Sequence, residues 1–154
     1  MMEFIYKADY GFFEKLVIKL LQKIGYGWDE NESGVHTGGP KDEGVDGIIH
    51  LDQLGLDKVY IQAKRYKVGS PIGSGDIQRF IGSMNTKGAS KGVFITSSTF
   101  SDQAVKEAGK AQLMKVELID GEKLSDVLIK NNLGVSISKS YEVYTIDTDA
   151  FLDN

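Results

Sequence analysis

The sequence contains no cysteine and only two histidines. Without cysteine the chain has no disulfide bond, no thiolate nucleophile and no cysteine-based zinc site. His36 and His50 do not indicate a zinc site either, because each stands far from a second ligand in the sequence. Ser97 and Ser98 have no evident histidine and aspartate partners, which argues against a serine hydrolase triad.

The sequence also lacks long apolar runs. No stretch approaches the roughly 20 consecutive apolar residues that a membrane-spanning helix needs. The first residues lack the basic start and apolar run of a signal peptide. These absences predict no membrane partner and fit a cytoplasmic location. The 154 residues, 41% of them hydrophobic, predict one globular domain with its own core, residues 1–154.

Charge is distributed unevenly along the chain. The net charge of -4 argues by itself against a polyanionic partner such as DNA. However, residues 58–91 contain seven basic residues and one acidic residue, a local charge of +6, whereas residues 29–57 contain one basic and eight acidic residues. A basic surface on an acidic protein can bind a polyanion, because the local field decides. Two solvated surfaces of opposite sign remain the alternative.

Hydrophobic periodicity predicts a helix, two strands, and then an alternation of helices and strands. This order indicates an α/β sandwich with a mixed sheet. Asp9, Ser101 and Asp120 are the predicted N-caps, and Gly25 is the predicted stop of the first helix. The predicted helices are residues 12–24, 76–84, 101–110 and the segment after residue 120, and the predicted strands are 44–51, 58–64, 92–96 and 116–119.

The last residues differ from the rest of the chain. Tyr141, Val143 and Tyr144 are typical of a strand, and the final residues are acidic. We therefore interpret 12–135 as the core of the domain and 136–154 as a C-terminal extension. The extension could add an edge strand, pack on a partner or stay disordered.

Asp46, Gln62 and Lys64 are the most informative residues of the chain. Asp46 lies in one short apolar segment, and Gln62 and Lys64 end the next one. Alternate side chains of a strand share a face, so Gln62 and Lys64 project together. If the two strands pair, a carboxylate, an amide oxygen and an ammonium meet at one point. A phosphodiester nuclease needs oxygen ligands for a hard divalent cation and a positive charge near the attacking water. The alternatives are an Asp-Gly turn at Asp46 and a surface lysine at Lys64.

These residues resemble a nuclease superfamily whose motif is an Asp, a gap, and then Asp or Glu, one residue, and Lys. With glutamine at position 62, the sequence is similar to one branch, the catalytic domain of Mrr-type restriction endonucleases. The likeness runs from about residue 12 to 135. The segments that carry it are 13–17, 42–49, 62–66 and 91–96.

The resemblance implies a restriction-endonuclease-like α/β sandwich, in which helices flank a central mixed sheet. It implies hydrolysis of double-stranded DNA with Mg²⁺, or Mn²⁺, as cofactor, and restriction of modified foreign DNA. Asp46, Gln62 and the Ala63 carbonyl would hold the metal. Because Gln62 adds no charge, we expect weak Mg²⁺ binding. Lys64 would orient the attacking water or stabilise charge on the phosphorus oxygens.

Two further groups of residues are candidates. Glu14, on the first predicted helix, would support the metal or a bridging water, as an early helical glutamate does in this superfamily. A solvated glutamate is the alternative. DNA contacts are predicted for residues in and after the motif, although a plain exposed face would also explain those on the helix. The predicted DNA-binding residues are Arg65, Lys67, Gln78, Arg79 and Lys87.

Two functional alternatives stay open. A repair or junction-resolving nuclease would share the same catalytic set, and a DNA-binding module on an inactive nuclease fold would share the same scaffold. Proteins of the resembled family usually carry a DNA-recognition domain ahead of the nuclease domain, and 154 residues leave no room for both. We therefore expect a separate or missing recognition domain. A homodimer is a further expectation.

Overall fold

A five-stranded sheet lies between two layers of helices. The computed structural model describes residues 1–27, 34–36 and 44–151. The acidic pair at 42–43, part of the resemblance, lies outside these ranges. The helices are α1 (Met2–Lys7), α2 (Tyr10–Lys23), α3 (Ser74–Thr86), α4 (Asp102–Gly109) and α5 (Gly121–Lys130). The strands are β1 (Gly34–His36), β2 (Gly47–His50), β3 (Lys58–Lys64), β4 (Lys91–Thr96) and β5 (Lys115–Ile119), and a 3-10 helix spans Thr148–Phe151.

The sheet is mixed, as predicted. β1, β2 and β3 pair antiparallel, whereas β3, β4 and β5 run parallel. β3 and β4 are buried along almost their whole length because helices cover both faces of the sheet. Their nearly continuous apolar sequences satisfy that environment, whereas β5, with a neighbour on one side, alternates between exposed and half-buried residues.

Two apolar cores lie on opposite faces of the sheet. α1, α2 and α5 enclose the first, and α3 and α4 enclose the second. In β3 the side chains of Ile61 and Ala63 enter the first core, and that of Tyr60 enters the second. Since strand residues alternate between faces, Gln62 and Lys64 lie on the face that α3 covers. The predicted common face of these two side chains is therefore confirmed.

The predicted caps are confirmed. The carboxylate of Asp9 accepts a hydrogen bond from the Phe12 N–H, and Ser101 and Asp120 cap α4 and α5 in the same way. Gly25 has a φ of +99°, the left-handed conformation that ends α2 without the strain a side chain would add. By contrast, α1 was not predicted, because its six residues are too few for periodicity to be recognised.

The strand ends form two opposite sides of the sheet. We call the side at the C-terminal ends of β3 and β4 the upper edge and the side at their N-terminal ends the lower edge. At the upper edge β3 ends at Lys64, β4 ends at Thr96 and the antiparallel β2 begins at Gly47. At the lower edge β3 begins at Lys58 and β4 begins at Lys91. Every side chain of the predicted nuclease motif therefore belongs to the upper edge.

The predicted strand character of the extension is not realised in the described tail. Residues 135–147 form neither helix nor strand. Tyr141, Val143 and Tyr144 are more than four-fifths exposed. Of the three expectations for this segment, an edge strand of the same chain is therefore wrong, and packing on a partner stays a prediction. No helix within the described part of the chain could cross a membrane.

Candidate active site

The carboxylate of Asp46 is held by the end of β3. The Asp46 N–H donates to the Ile61 carbonyl at 2.8 Å, one residue before the β2–β3 ladder begins at Gly47. Its Oδ2 accepts from the Ala63 N–H at 2.7 Å and from the Gln62 side-chain amide at 2.6 Å. Asp46 and Gln62 therefore meet as predicted, but through the amide nitrogen of Gln62 and not its oxygen. Their catalytic and metal-binding roles stay predictions.

The Gln62 side chain donates a hydrogen bond to the Asp46 carboxylate. The residue is 4% exposed, and its amide nitrogen is the donor atom. The amide oxygen is turned toward Gly44, where an added Cβ would lie 3.3 Å from it. A neutral amide can donate this hydrogen bond, whereas a glutamate would place a second negative charge against the first. The structure therefore explains why glutamine suits position 62, independently of metal ligation.

The Lys64 ammonium lies near an acidic residue of α3, Asp76. Its Nζ lies 3.9 Å from the Asp76 carboxylate and 6.0 Å from the centroid of the Tyr66 ring. Asp76, in the first turn of α3, also accepts from Arg79 at 2.5 Å. Asp76 is the single acidic residue of segment 58–91 and begins the predicted helix 76–84, but it was not among the predicted site residues. Its position in the first turn of the helix after the motif was the available signal.

Glu14 and Tyr10 bring α2 into the site. Glu14 is 6% exposed and lies one helical turn after Tyr10, so both side chains lie on the same face of α2. The Tyr10 hydroxyl donates to the Ala63 carbonyl at 2.9 Å. Burial, together with the negative charges of Asp46 and Glu14, raises the pKa of Tyr10 to about 12. The role of Glu14 in supporting the metal stays a prediction. Tyr10 itself was not predicted.

The donor atoms at this place suit a hard divalent cation. The Asp46 carboxylate is bound to the Ala63 N–H, and the Ala63 carbonyl accepts from Tyr10, so both offer oxygen atoms at the end of β3. The buried Glu14 carboxylate lies on the face of α2 that carries Tyr10. Among the residues that the structure describes, no three or more His, Cys, Asp or Glu side chains are grouped to hold a metal. Mg²⁺ typically binds through one or two carboxylates and keeps several waters. The residues present therefore fit a hard divalent cation.

The predicted DNA-binding residues separate into three positions. Arg65 donates to the carbonyls of Tyr6 and Ala8 at the end of α1, so its guanidinium has a structural partner. Three of the predicted residues are exposed at the upper edge, namely Lys67, Gln78 and Arg79.

Lys87 follows the last residue of α3, a helix about 20 Å long that leads toward the lower edge. The basic segment 58–91 is therefore divided between the two edges of the sheet. Each individual DNA contact stays a prediction.

Comparison with known proteins gives a consistent result. A family model described as restriction endonuclease (Mrr_cat) matches residues 5–128. The chain is 41% identical over 139 residues to the type IV methyl-directed restriction enzyme EcoKMrr of Escherichia coli (strain K12), covering 90% of this chain and 44% of that enzyme. The chain thus spans less than half of the length of this curated relative.

Solved structures of restriction endonucleases have the same fold. The DNA modification-dependent restriction endonuclease AspBHI superposes with a TM-score of 0.62 at 23% identity, over 80% of this chain and 32% of that one. The MspJI restriction endonuclease, solved in complex with a 27-mer oligonucleotide, superposes with a TM-score of 0.60 at 25% identity, over 82% of this chain and 30% of that one. The predicted fold class is therefore confirmed.

Proposed function

Because this chain belongs to the Mrr-type restriction endonuclease family, we propose that it hydrolyses phosphodiester bonds of double-stranded DNA with the help of a divalent cation. The observation that carries the proposal is the Asp46 carboxylate, fixed by two hydrogen bonds from β3 beside the Ala63 carbonyl. Lys64 ends the same strand. A pair of oxygen donors next to a lysine at one sheet edge matches what phosphodiester hydrolysis needs.

Each residue of the candidate active site has a role in this proposal. Asp46, Glu14 and the Ala63 carbonyl would hold Mg²⁺, which when bound would lower the pKa of water and offset negative charge on the phosphate. Gln62 keeps the Asp46 carboxylate in place through its 2.6 Å hydrogen bond. The Lys64 ammonium leaves Asp76 for the phosphate and stabilises the charge that develops on the phosphorus oxygens.

The substrate follows from the relatives. EcoKMrr is named a methyl-directed restriction enzyme and AspBHI a modification-dependent one, so we propose restriction of modified foreign DNA, which takes place in the cytoplasm. This chain matches 44% of EcoKMrr. We assign the reading of the modification to a separate recognition domain. Since a duplex has two strands to cut, we propose that the active form is a homodimer.

A plasmid assay tests the activity directly. Supercoiled plasmid, methylated or unmethylated, is incubated with the protein and either Mg²⁺, Mn²⁺ or EDTA. We expect nicked and linear products with Mg²⁺ or Mn²⁺ and none with EDTA. Cleavage of a four-way junction with no cleavage of either plasmid would instead support a junction-resolving nuclease. DNA binding without cleavage of any substrate would reject the enzymatic proposal.

DNA binding through the upper edge is a further prediction. Replacing Lys67 and Arg79 by glutamine should weaken duplex binding to all sequences alike. Each lost phosphate contact makes the slope of log affinity against log salt less negative by about 0.9, so the double variant should lose about one to two units. Fluorescence anisotropy at several salt concentrations measures this slope.

The matched control removes two charges elsewhere. Lys106 and Lys130 are exposed, lie in the last turns of α4 and α5, and are not among the predicted DNA-binding residues. Replacing both by glutamine makes the same change in net charge, and we expect the slope to stay near that of the unmodified protein. An equal change of slope in both double variants would show that net charge, and not the upper edge, determines binding.

A further inference from the structure

Tyr10 touches the candidate metal site from outside the nuclease motif. It is the first residue of α2, and its hydroxyl donates to the carbonyl of Ala63 at 2.9 Å. The two residues are 53 positions apart in sequence. Ala63 is completely buried, and its N–H donates to Asp46 at 2.7 Å. Side chains therefore hold Ala63 at both of its backbone polar groups.

We propose that Tyr10 is a positioning residue that directs the Ala63 carbonyl toward the divalent cation. This proposal rests on the proposed function. A carbonyl oxygen has two lone pairs, so it can accept the Tyr10 hydrogen bond and still offer a lone pair to a metal. Groups that orient metal ligands from outside commonly change metal affinity or activity by about 10- to 100-fold when they are removed.

The surrounding contacts give Tyr10 a defined position. Asp9 caps α2 and accepts from the Phe12 N–H at 2.7 Å, which fixes where the helix begins. Arg65, directly after the motif lysine, donates to the carbonyls of Tyr6 and Ala8 just before that cap. The segment that precedes Tyr10 is thereby tied to the end of β3, the strand that carries Ala63.

The same helix delivers a carboxylate. Glu14 lies four residues after Tyr10 and is 6% exposed, so the hydroxyl and the buried carboxylate lie on one face of α2. A shift of α2 would therefore displace both groups at once. The Tyr10 hydrogen bond is the observed contact that fixes the distance between this helix and the Ala63 carbonyl.

Substitution by phenylalanine isolates the hydroxyl group. Tyr10→Phe removes one oxygen atom and keeps the ring. Tyr6→Phe is a matched control, because the Tyr6 hydroxyl also joins the N-terminal segment to a backbone carbonyl at the upper edge, that of Ser97, at 2.7 Å. Both variants lose one hydrogen bond of the same kind, so we expect similar small losses of thermal stability, and only Tyr10→Phe alters a carbonyl of the metal site.

The decisive measurement is metal binding without DNA. Calorimetric titration of the wild-type protein and both variants with Mn²⁺ should give a Kd about 10-fold higher for Tyr10→Phe and an unchanged Kd for Tyr6→Phe. The Mg²⁺ concentration for half-maximal nicking should rise by the same factor. Rates of Tyr10→Phe at saturating Mg²⁺ should approach those of the wild type, because the lost group acts through the ligand.

The outcomes separate this proposal from the proposed function. Wild-type protein that binds Mn²⁺ but cleaves no DNA would reject the nuclease proposal, and the Kd comparison would still decide the role of Tyr10. An unchanged Kd in Tyr10→Phe, or equal rises in Tyr10→Phe and Tyr6→Phe, would show that the hydroxyl only stabilises the fold. Absence of Mn²⁺ binding by the wild type would reject the metal site and this role together.

Discussion

Asp46→Asn is expected to lower the cleavage rate by at least about 10²–10³-fold while the protein stays folded. Asparagine keeps the size of the side chain and one acceptor oxygen, but it removes the charge that attracts a cation. Asp46→Ala should have the same effect on cleavage and a larger effect on stability. The Gln62 amide and the Ala63 N–H would then lose their acceptor, at a cost of about 1–3 kcal/mol for each buried group left unpaired.

Lys64→Ala should cause a loss of cleavage of similar size, through a different step. The Lys64 ammonium is positioned at the end of β3 to contact the phosphate, and β3 has no second cationic side chain at the upper edge. Lys58→Ala is the matched control, since Lys58 begins the same strand at the lower edge. Single-turnover rates at saturating Mg²⁺, with thermal unfolding of each variant, measure both effects. Wild-type rates in Asp46→Asn or Lys64→Ala would overturn the assignment of the site.

Gln62→Glu is expected to make the stability of the protein depend on metal. Without metal, a second carboxylate replaces a donor that lies 2.6 Å from Asp46, in a residue that is 4% exposed. Loss of a hydrogen bond to a charged group costs about 1.5–3 kcal/mol, and repulsion of like charges adds to this. With metal, the two carboxylates form a more negative site, so Mg²⁺ should bind more tightly than to the wild type.

Two measurements test this pair of effects. Thermal unfolding without Mg²⁺ should show Gln62→Glu below the wild type, and the difference should shrink as Mg²⁺ is added, because a ligand that binds only the folded state stabilises it. Calorimetry should show a lower Kd for Mg²⁺ in the variant. Gln62→Met, a neutral control of similar length, should lose stability without any gain in affinity. Weaker Mg²⁺ binding by Gln62→Glu than by the wild type would mean that position 62 does not contribute to the metal site.

The elements that carry the motif could be predicted from the sequence, because they depend on local pattern. The apolar run of residues 58–64 predicted β3 with its observed bounds. Its period of two placed Gln62 and Lys64 on one face. The caps at Asp9 and Asp120 follow from the side-chain chemistry of helix ends. The order of the four motif segments was enough to indicate the family.

Tertiary structure decided which distant groups meet these elements. The Tyr10 hydroxyl reaches Ala63 because α2 packs across β3, and the Asp76 carboxylate reaches Lys64 because α3 covers the opposite face. No local pattern encodes either contact, since each depends on strand order and on the angle at which a helix lies on the sheet.

The distribution of charge illustrates the same limit. In sequence, residues 58–91 form one basic segment. β3 leads to the upper edge and α3 leads back toward the lower edge, so Lys67 and Arg79 lie at the upper edge and Lys87 does not. Arg65 donates a hydrogen bond to the Tyr6 carbonyl of α1. The sequence by itself determined the family, the mixed sheet and the identity of the motif. Only the folded chain decided which charges remain near the site. A strand and the helix that follows it place residues of one sequence segment at opposite edges of the sheet.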